Sequence, residues 1–424
     1  MIKIYRTGEL PLEEILFRGE DDVKEIEARV SDIIENVRKE GDKALYRYAE
    51  AFDGAKLDSL KVTSSEIDAA YARVDKEFVA IMEKAAANIR EFHSAQVRND
   101  YRIERDGATL GQRFIPVACA GLYVPGGTAS YPSTVLMNAI PAKIAGVKRI
   151  IMCTPPDRNG KIADAILAAA KVAGVDEVYK SGGAQAVAAM AYGTETVPRA
   201  DKIVGPGNVY VATAKKLVQG VVGIDMIAGP SEILVIADES ARADYVAADM
   251  LSQAEHDKRA TAILITPSER LAEEVATEIE KALKKLAREE IARVSIENNG
   301  KIIVAGDLSE AVRISNELAP EHLELSVEDP EKLLPEVTSA GSVFLGHYTP
   351  EAVGDYLAGS NHTLPTSGTA RFSSPLSVDD FIKKSQYISY SREALDGIAS
   401  EVMRFAKEEG LTAHAASVAV RYGK

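Results

Sequence analysis

From about Val117 onward the chain alternates short β-rich runs with alanine-rich helical runs, and this alternation limits the available folds more than any other feature. VACAGLYV is followed by a helical stretch over Ser133 to Ala145, RIIMC by Ile162 to Ala173, DEVYK by Ala184 to Tyr192, and DKIV by Val209 to Leu217. A second series follows. EILVIA precedes a helix from Ala241 to about Glu255, ATAILIT a long charged helix from Ser268 to Glu290, KIIVAG a helix over Leu308 to Leu318, and SVFLG closes the series. Strand and helix in turn, with short Gly or Pro punctuation, is the pattern of parallel sheets with crossover helices. The expected fold class is therefore α/β, with two units in tandem and no residue-level repeat between them.

Upstream, charged and apolar residues recur at three- and four-residue spacing from Asp21 to Ala51 and from Ser64 to Arg98, which predicts helices. The stretch from Ala358 to Ser377 is rich in Ser, Thr, Gly and Pro and has no periodicity, so it reads as a long ordered loop or lid. Asp379 to Lys424 reads as a tail of amphipathic helices. At roughly 150 residues per domain, a chain of 424 residues that is 46% hydrophobic should hold two to three cores. Its formal charge of −14, with no run of lysine or arginine, argues against nucleic acid or an anionic membrane as partner. Cys119 and Cys153, the only cysteines, belong to no CxxC pair, which disfavours a disulfide framework and a thiolate metal site. The first twenty residues carry acidic groups and no apolar core of signal-peptide length, and no uninterrupted apolar stretch is long enough to span a bilayer. A cytoplasmic protein is expected.

Chemistry enters through histidine. Only six occur, and four lie in polar clusters: Gln253 to Asp257, Pro320 to Glu324, Asp355 to His362, and Glu409 to His414. Imidazole titrates near neutral pH and is the commonest metal ligand, so this distribution suggests a metal site combined with a proton-transfer site. Gln253 and His256 are three apart near a predicted helix end, with Asp249 one turn earlier, so all three share a face. That spacing can chelate, or it can simply be a polar helix terminus whose histidine offsets the macrodipole. Glu321 and His322 follow a proline that ends a helix and stand at the start of a strand, where a carboxylate and an imidazole could handle a water and an alcohol proton. A solvated turn is the plainer reading. Spacing alone does not join Gln253, His256, Asp355 and His414 into one site.

GPGN at 205 to 208 follows DKIV and opens a helix, and SGGAQA at 181 to 186 occupies the same position in the preceding unit. Glycines there permit close approach of a ligand to the backbone, and a helix N-terminus attracts phosphate. Tight turns explain them equally well, because the GxGxxG fingerprint is absent. AGPSEILVIAD has the same layout, with Ser231 placed to cap or to contact a ligand.

Taken together, GLYVPGG, SGGAQA, GPGNVYV, AGPSE, QAEHD, APEHLE, GDYLAGSNHTLPT and EGLTAH occur in an order that resembles the histidinol dehydrogenase family, over about residues 20 to 420. The resemblance implies an NAD-linked four-electron oxidation of L-histidinol through the aldehyde to L-histidine. It implies zinc held by Gln253, His256 and Asp355 of one subunit and His414 of the other, hence a homodimer with active sites completed in trans. His322 resembles the family's general base and Glu321 the residue that activates water. Ser231, His362 and Glu409 match substrate-contacting positions, as do Gln253, His256, His322, Asp355 and His414; Tyr123, Gln185 and Asn208 match NAD-binding positions. It further implies two incomplete Rossmann-like domains: an NAD-binding domain at 123–230, set within a larger domain formed by 21–122 and 231–377. Residues 1–20 form an N-terminal segment, and 378–424 a helical tail that reaches the partner's site.

Three other readings remain at this stage. A relative acting on another alcohol would keep zinc, NAD and His322, although Ser231, His362 and Glu409 speak for histidinol. A zinc hydrolase would use Glu321 without nicotinamide. In a nucleotide-binding scaffold without catalysis the Glu321-His322 pair would be incidental.

Overall fold

A computed structural model of the chain describes residues 2–15, 23–126 and 130–422. Asp21 and Asp22, expected to open the first long helix, and Gly127 of GLYVPGG lie outside them. The chain divides into two compact units, one of residues 1–96 and 118–381 and the other of 97–117 and 382–424.

The first unit contains two parallel sheets. One has six strands in the spatial order Lys3–Arg6, Lys301–Val304, Thr261–Thr266, Glu232–Ala237, His322–Ser326 and Ser342–Leu345. Every neighbouring pair in it is parallel. Three of the four inner strands, EILVIA, TAILIT and HLELS, are buried at every position, because crossover helices cover both faces. Alternation sorts their side chains. Ile233, Val235, Ala262, Leu264 and Ile302 pack with the helices Ala243–Ala254, Glu269–Leu283 and Glu289–Asn298. Leu234, Ile236, Ile263, Ile265 and Ile303 pack on the opposite face with Ala311, Val312 and Ile314 of the helix Leu308–Leu318. The second sheet has five strands, in the order Glu177–Lys180, Arg149–Thr154, Cys119–Tyr123, Lys202–Val204 and Gly223–Ile224, again all parallel. The parallel α/β organisation expected from the alternation is present.

Side-chain oxygens start several of the connecting helices. Ser268 accepts from Leu271 N–H, Asp307 from Glu310 N–H, and Thr63 forms a reciprocal box with Glu66, satisfying donors that a helix start leaves unpaired. The charged stretch read as one helix over Ser268 to Glu290 is two, Glu269–Leu283 and Glu289–Asn298. The break lets Ala292 and Ile296 return to the core that Leu283 already occupies; one straight helix would carry them past it.

The second unit holds a three-stranded antiparallel sheet in the order Ile382–Tyr390, Ala108–Pro116, Tyr101–Arg105, together with helices Arg392–Glu408 and Thr412–Tyr422. The expectation of a purely helical tail is thereby corrected at residues 382–390. IKKSQYISY is polar and mostly exposed, and its strand state comes from a distant partner: all nine of its residues pair with 108–116. Gly111 belongs to that pairing, since a Cβ there would lie 2.1 Å from the Tyr387 ring. No described helix is long and apolar enough to cross a membrane.

Candidate active site

His322 opens its strand at the amino end of the six-stranded sheet, beside Ile233 and Ser342. Pro320 ends the preceding segment, and Ala319 takes the left-handed conformation that turns the helix Leu308–Leu318 into the strand. The neighbouring strand begins at Glu232, directly after Ser231, and the helix that ends at Ala254 carries Gln253 to the same end of the sheet. Crossover helices run antiparallel to the strands, so a helix C-terminus and the next strand's start share one edge. The histidine cluster therefore sits at the entering end of this sheet. Tyr123, Gln185 and Asn208 follow the usual rule instead, standing at or just beyond the carboxyl ends of their strands.

His322 is only 4% exposed. Its Nδ1–H donates to the Glu232 carbonyl at 3.0 Å, which fixes the tautomer and leaves Nε2 with a lone pair. Nε2 has no hydrogen-bond partner and lies 3.7 Å from the Glu351 carboxylate. Glu321 is also buried; its carboxylate accepts Glu232 N–H at 3.0 Å and lies 3.6 Å from His322 Nδ1. One residue of the neighbouring strand thus holds both members of the pair, through its carbonyl and its amide.

Glu351 is buried at the start of a short helix, Glu351–Val353, that continues as the π-turn Gly354–Ala358. Its backbone N–H donates to Glu324 at 2.9 Å and its side chain accepts from Ser252 at 3.2 Å. Asp355, one turn on, lies 3.8 Å from His362 Nδ1, and His362 Nε2 lies 3.4 Å from the Thr134 hydroxyl. Behind the site Asp249 hydrogen-bonds Glu324. Asn361 donates to Met137 O at 2.7 Å and Thr363 to Asn138 at 3.1 Å, so the segment read as a long ordered loop is pinned to the helix Pro132–Ala145.

Burial pushes the carboxyls and the imidazoles in opposite directions. Burial holds Glu321 well above the usual carboxylate range, and burial with the adjacent Glu351 charge pushes Asp355 up to about 9. Burial lowers His322, and burial with the nearby His322 lowers His362 to about 4. Each group is thereby held toward its neutral form. Ligand atoms of His322, Glu351 and Asp355 all lie within 4.8 Å of one another. One imidazole and two carboxylates converging in a buried space are a donor set suited to a divalent cation, which would relieve the repulsion between the acids.

The remaining residues expected at the site are distributed as follows. Gln253 is buried on its helix, while His256 is exposed just past the helix end. Ser231 is half-buried, and its carbonyl accepts Thr261 N–H. Tyr123 and Gln185 are buried, and the Tyr123 hydroxyl accepts Gly183 N–H at 3.0 Å. Asn208 is exposed and caps its helix by accepting from Tyr210 and Val211 N–H. Glu409 and His414 are exposed in the second unit, at the end of one helix and in the first turn of the next. Glu351, Glu324 and the pairing of Asp249 with Glu324 escaped the sequence reading. The four-residue spacing of Glu351 and Asp355 was a usable signal for one of them.

The family model for histidinol dehydrogenase matches residues 16–422. This chain belongs to the histidinol dehydrogenase family. It is 55% identical over 406 residues to a histidinol dehydrogenase of Geobacillus kaustophilus, covering 96% of each chain. To one of Listeria monocytogenes it is 54% identical over 399 residues, covering 94% of this chain and 93% of the other. The crystal structure of histidinol dehydrogenase from Elizabethkingia anophelis superposes with a TM-score of 0.92 at 42% identity, covering 99% of this chain and 98% of that one.

Proposed function

We propose that this chain carries out the zinc-dependent, NAD-linked oxidation of L-histidinol through L-histidinaldehyde to L-histidine, with His322 as base and Glu321 as the group that handles water. As a member of the histidinol dehydrogenase family it is an oxidoreductase that oxidises histidinol in histidine biosynthesis. The observation that carries the residue roles is the double anchorage on Glu232. It leaves His322 Nε2 without a partner and facing the acids, with the Glu321 carboxylate alongside.

Zinc, when bound, would orient the amino alcohol through its imidazole and amino nitrogens. Gln253, His256 and Asp355 are the proposed ligands, completed by His414 of a second copy of the chain. Asp355 is also one of the three convergent donors described above. Ser231, His362 and Glu409 would contact the substrate, and Tyr123, Gln185 and Asn208 would border the NAD. On this reading residues 123–230 form the cofactor domain, 21–122 and 231–377 the larger one, and 378–424 the tail that contributes to the partner's active site. A cytoplasmic location fits the acidic composition and the two free, buried cysteines.

In the first oxidation His322 Nε2 accepts the hydroxyl proton as the hydride leaves the same carbon for the nicotinamide, giving the aldehyde. Glu321 then takes a proton from the water that adds to the aldehyde carbon, and His322 returns its proton to the carbonyl oxygen, which gives the diol and restores the free Nε2. The resulting diol loses its second hydride as His322 again accepts the hydroxyl proton, and the acid is formed. Two hydrides leave, and two NAD are reduced.

Purified protein mixed with L-histidinol and NAD tests this, with and without prior chelation. We expect two reduced nicotinamides per substrate consumed, lost on chelation and restored by zinc. No reduced nicotinamide from a folded, zinc-loaded protein would refute it.

A further inference from the structure

Beneath the GPGN loop lies a buried ion pair with no place in the chemistry described above. Lys215, on the helix Val209–Val218, and Asp225, just past the strand Gly223–Ile224, have side chains only 1% exposed, with Nζ 2.5 Å from a carboxylate oxygen. Both charged groups are bound to one residue. Lys215 Nζ donates to the Gly205 carbonyl at 2.9 Å, and Gly205 N–H donates to Asp225 at 2.8 Å.

Gly205 cannot be replaced without displacing its surroundings. Its φ is +116°, and a Cβ there would lie 2.1 Å from the Tyr123 carbonyl oxygen and 3.1 Å from the Asn138 amide nitrogen. The loop therefore crosses directly over the carboxyl end of the strand Cys119–Tyr123. Tyr123 braces the other glycine loop as well, through its hydroxyl and Gly183 N–H. A buried ion pair contributes little net stability, because desolvating two charges offsets their attraction. What this pair supplies in addition is a fixed orientation for the two peptide groups that flank Gly205, three residues before Asn208.

We propose that Lys215 and Asp225 are positioning residues for the cofactor: they clamp the Gly205 backbone on both sides so that the loop through Asn208 is already shaped for NAD before NAD arrives. The proposal rests on the reading that this loop borders NAD. A preshaped loop spares NAD the loss of conformational freedom on binding. Releasing the clamp should therefore weaken NAD binding and leave the chemistry at His322, on the other sheet, unchanged.

The test uses the full-length, zinc-loaded protein and two measurements. The first is hydrogen exchange at the amides of residues 205–211 in the wild type, with and without NADH. The second is steady-state kinetics of the double variant K215M/D225N, which removes both charges at nearly constant volume and leaves neither buried alone. We expect NADH to slow exchange in the loop. We expect the variant to raise KM for NAD about tenfold, the scale of one lost hydrogen bond to a charged group, with kcat at saturating NAD and KM for histidinol within about twofold of wild type. If NADH leaves exchange in the loop unchanged, the loop does not border the cofactor, and the proposal falls with that reading. If NADH protects the loop but KM for NAD stays within twofold, the clamp is only structural and the proposal alone is overturned. Should the double variant fail to fold, K215M alone is read by the same criteria, since it removes the hydrogen bond to the Gly205 carbonyl and Asp225 can take up a proton to stay neutral.

Discussion

Replacing His322 with asparagine separates its two faces. The asparagine amide nitrogen stands close to where Nδ1 was, so His322→Asn can keep the 3.0 Å hydrogen bond to the Glu232 carbonyl while the lone pair at Nε2 is lost. The missing ring atoms leave a small void in a site that is 4% exposed, which should cost about 1–2 kcal/mol of stability. Loss of a positioned base should lower kcat by about 10²- to 10⁴-fold, or about 3–5 kcal/mol in the barrier. KM for histidinol and the zinc content should change little. Burial lowers the His322 pKa, so the neutral base persists below the ordinary imidazole range. Wild-type activity should be full at neutral pH and fall only as pH drops through that lowered value, and the variant should lack this acid limb. The assay is kcat and kcat/KM against pH, with metal content measured on the same samples. Turnover within a few-fold of wild type would remove His322 from the base role. Loss of zinc together with activity would instead make His322 a metal ligand with Glu351 and Asp355, and would refute the proposed ligand set.

Glu321→Gln should slow oxidation of supplied histidinaldehyde by about 10²-fold or more, while histidinol oxidation in the first half-reaction survives; untouched aldehyde oxidation would end the water-handling role. Truncation before Glu409 should abolish zinc binding and turnover together, and tight zinc binding by the truncated chain would show His414 to be no ligand. Gly205→Ala should destabilise the fold by about 3 kcal/mol or more, through forced backbone movement at a positive φ, measured as a drop in denaturation midpoint. Burial pushes Asp53 up to about 6 from 3.8. The folded state thus resists its ionisation, and this contribution to stability is most favourable below about pH 4 and is lost as pH rises through 6. Asp53→Asn should flatten stability between those pH values, and an unchanged pH profile would contradict the burial argument.

The alternation of apolar runs with alanine-rich helices determined the two parallel sheets, because strands covered on both faces must be apolar throughout and the crossovers must be amphipathic. Residue type and local spacing singled out Glu321 and His322 as candidates, whereas the grouping of Gln253, His256 and Asp355 came only from the resemblance to the histidinol dehydrogenase family and stays a proposal. Residues 382–390 could not be read as a strand in the same way, because nothing in IKKSQYISY supplies the partner strand that makes it one. Only the tertiary structure decided which nitrogen of His322 is free, since a carbonyl 90 residues away fixes the tautomer. It alone brought Glu351 and Glu324 to the site. It also paired Lys215 with Asp225 around a single glycine residue. These are contacts between segments distant in sequence, where burial turns an ordinary acid, base or lysine into a group with a fixed charge state and direction.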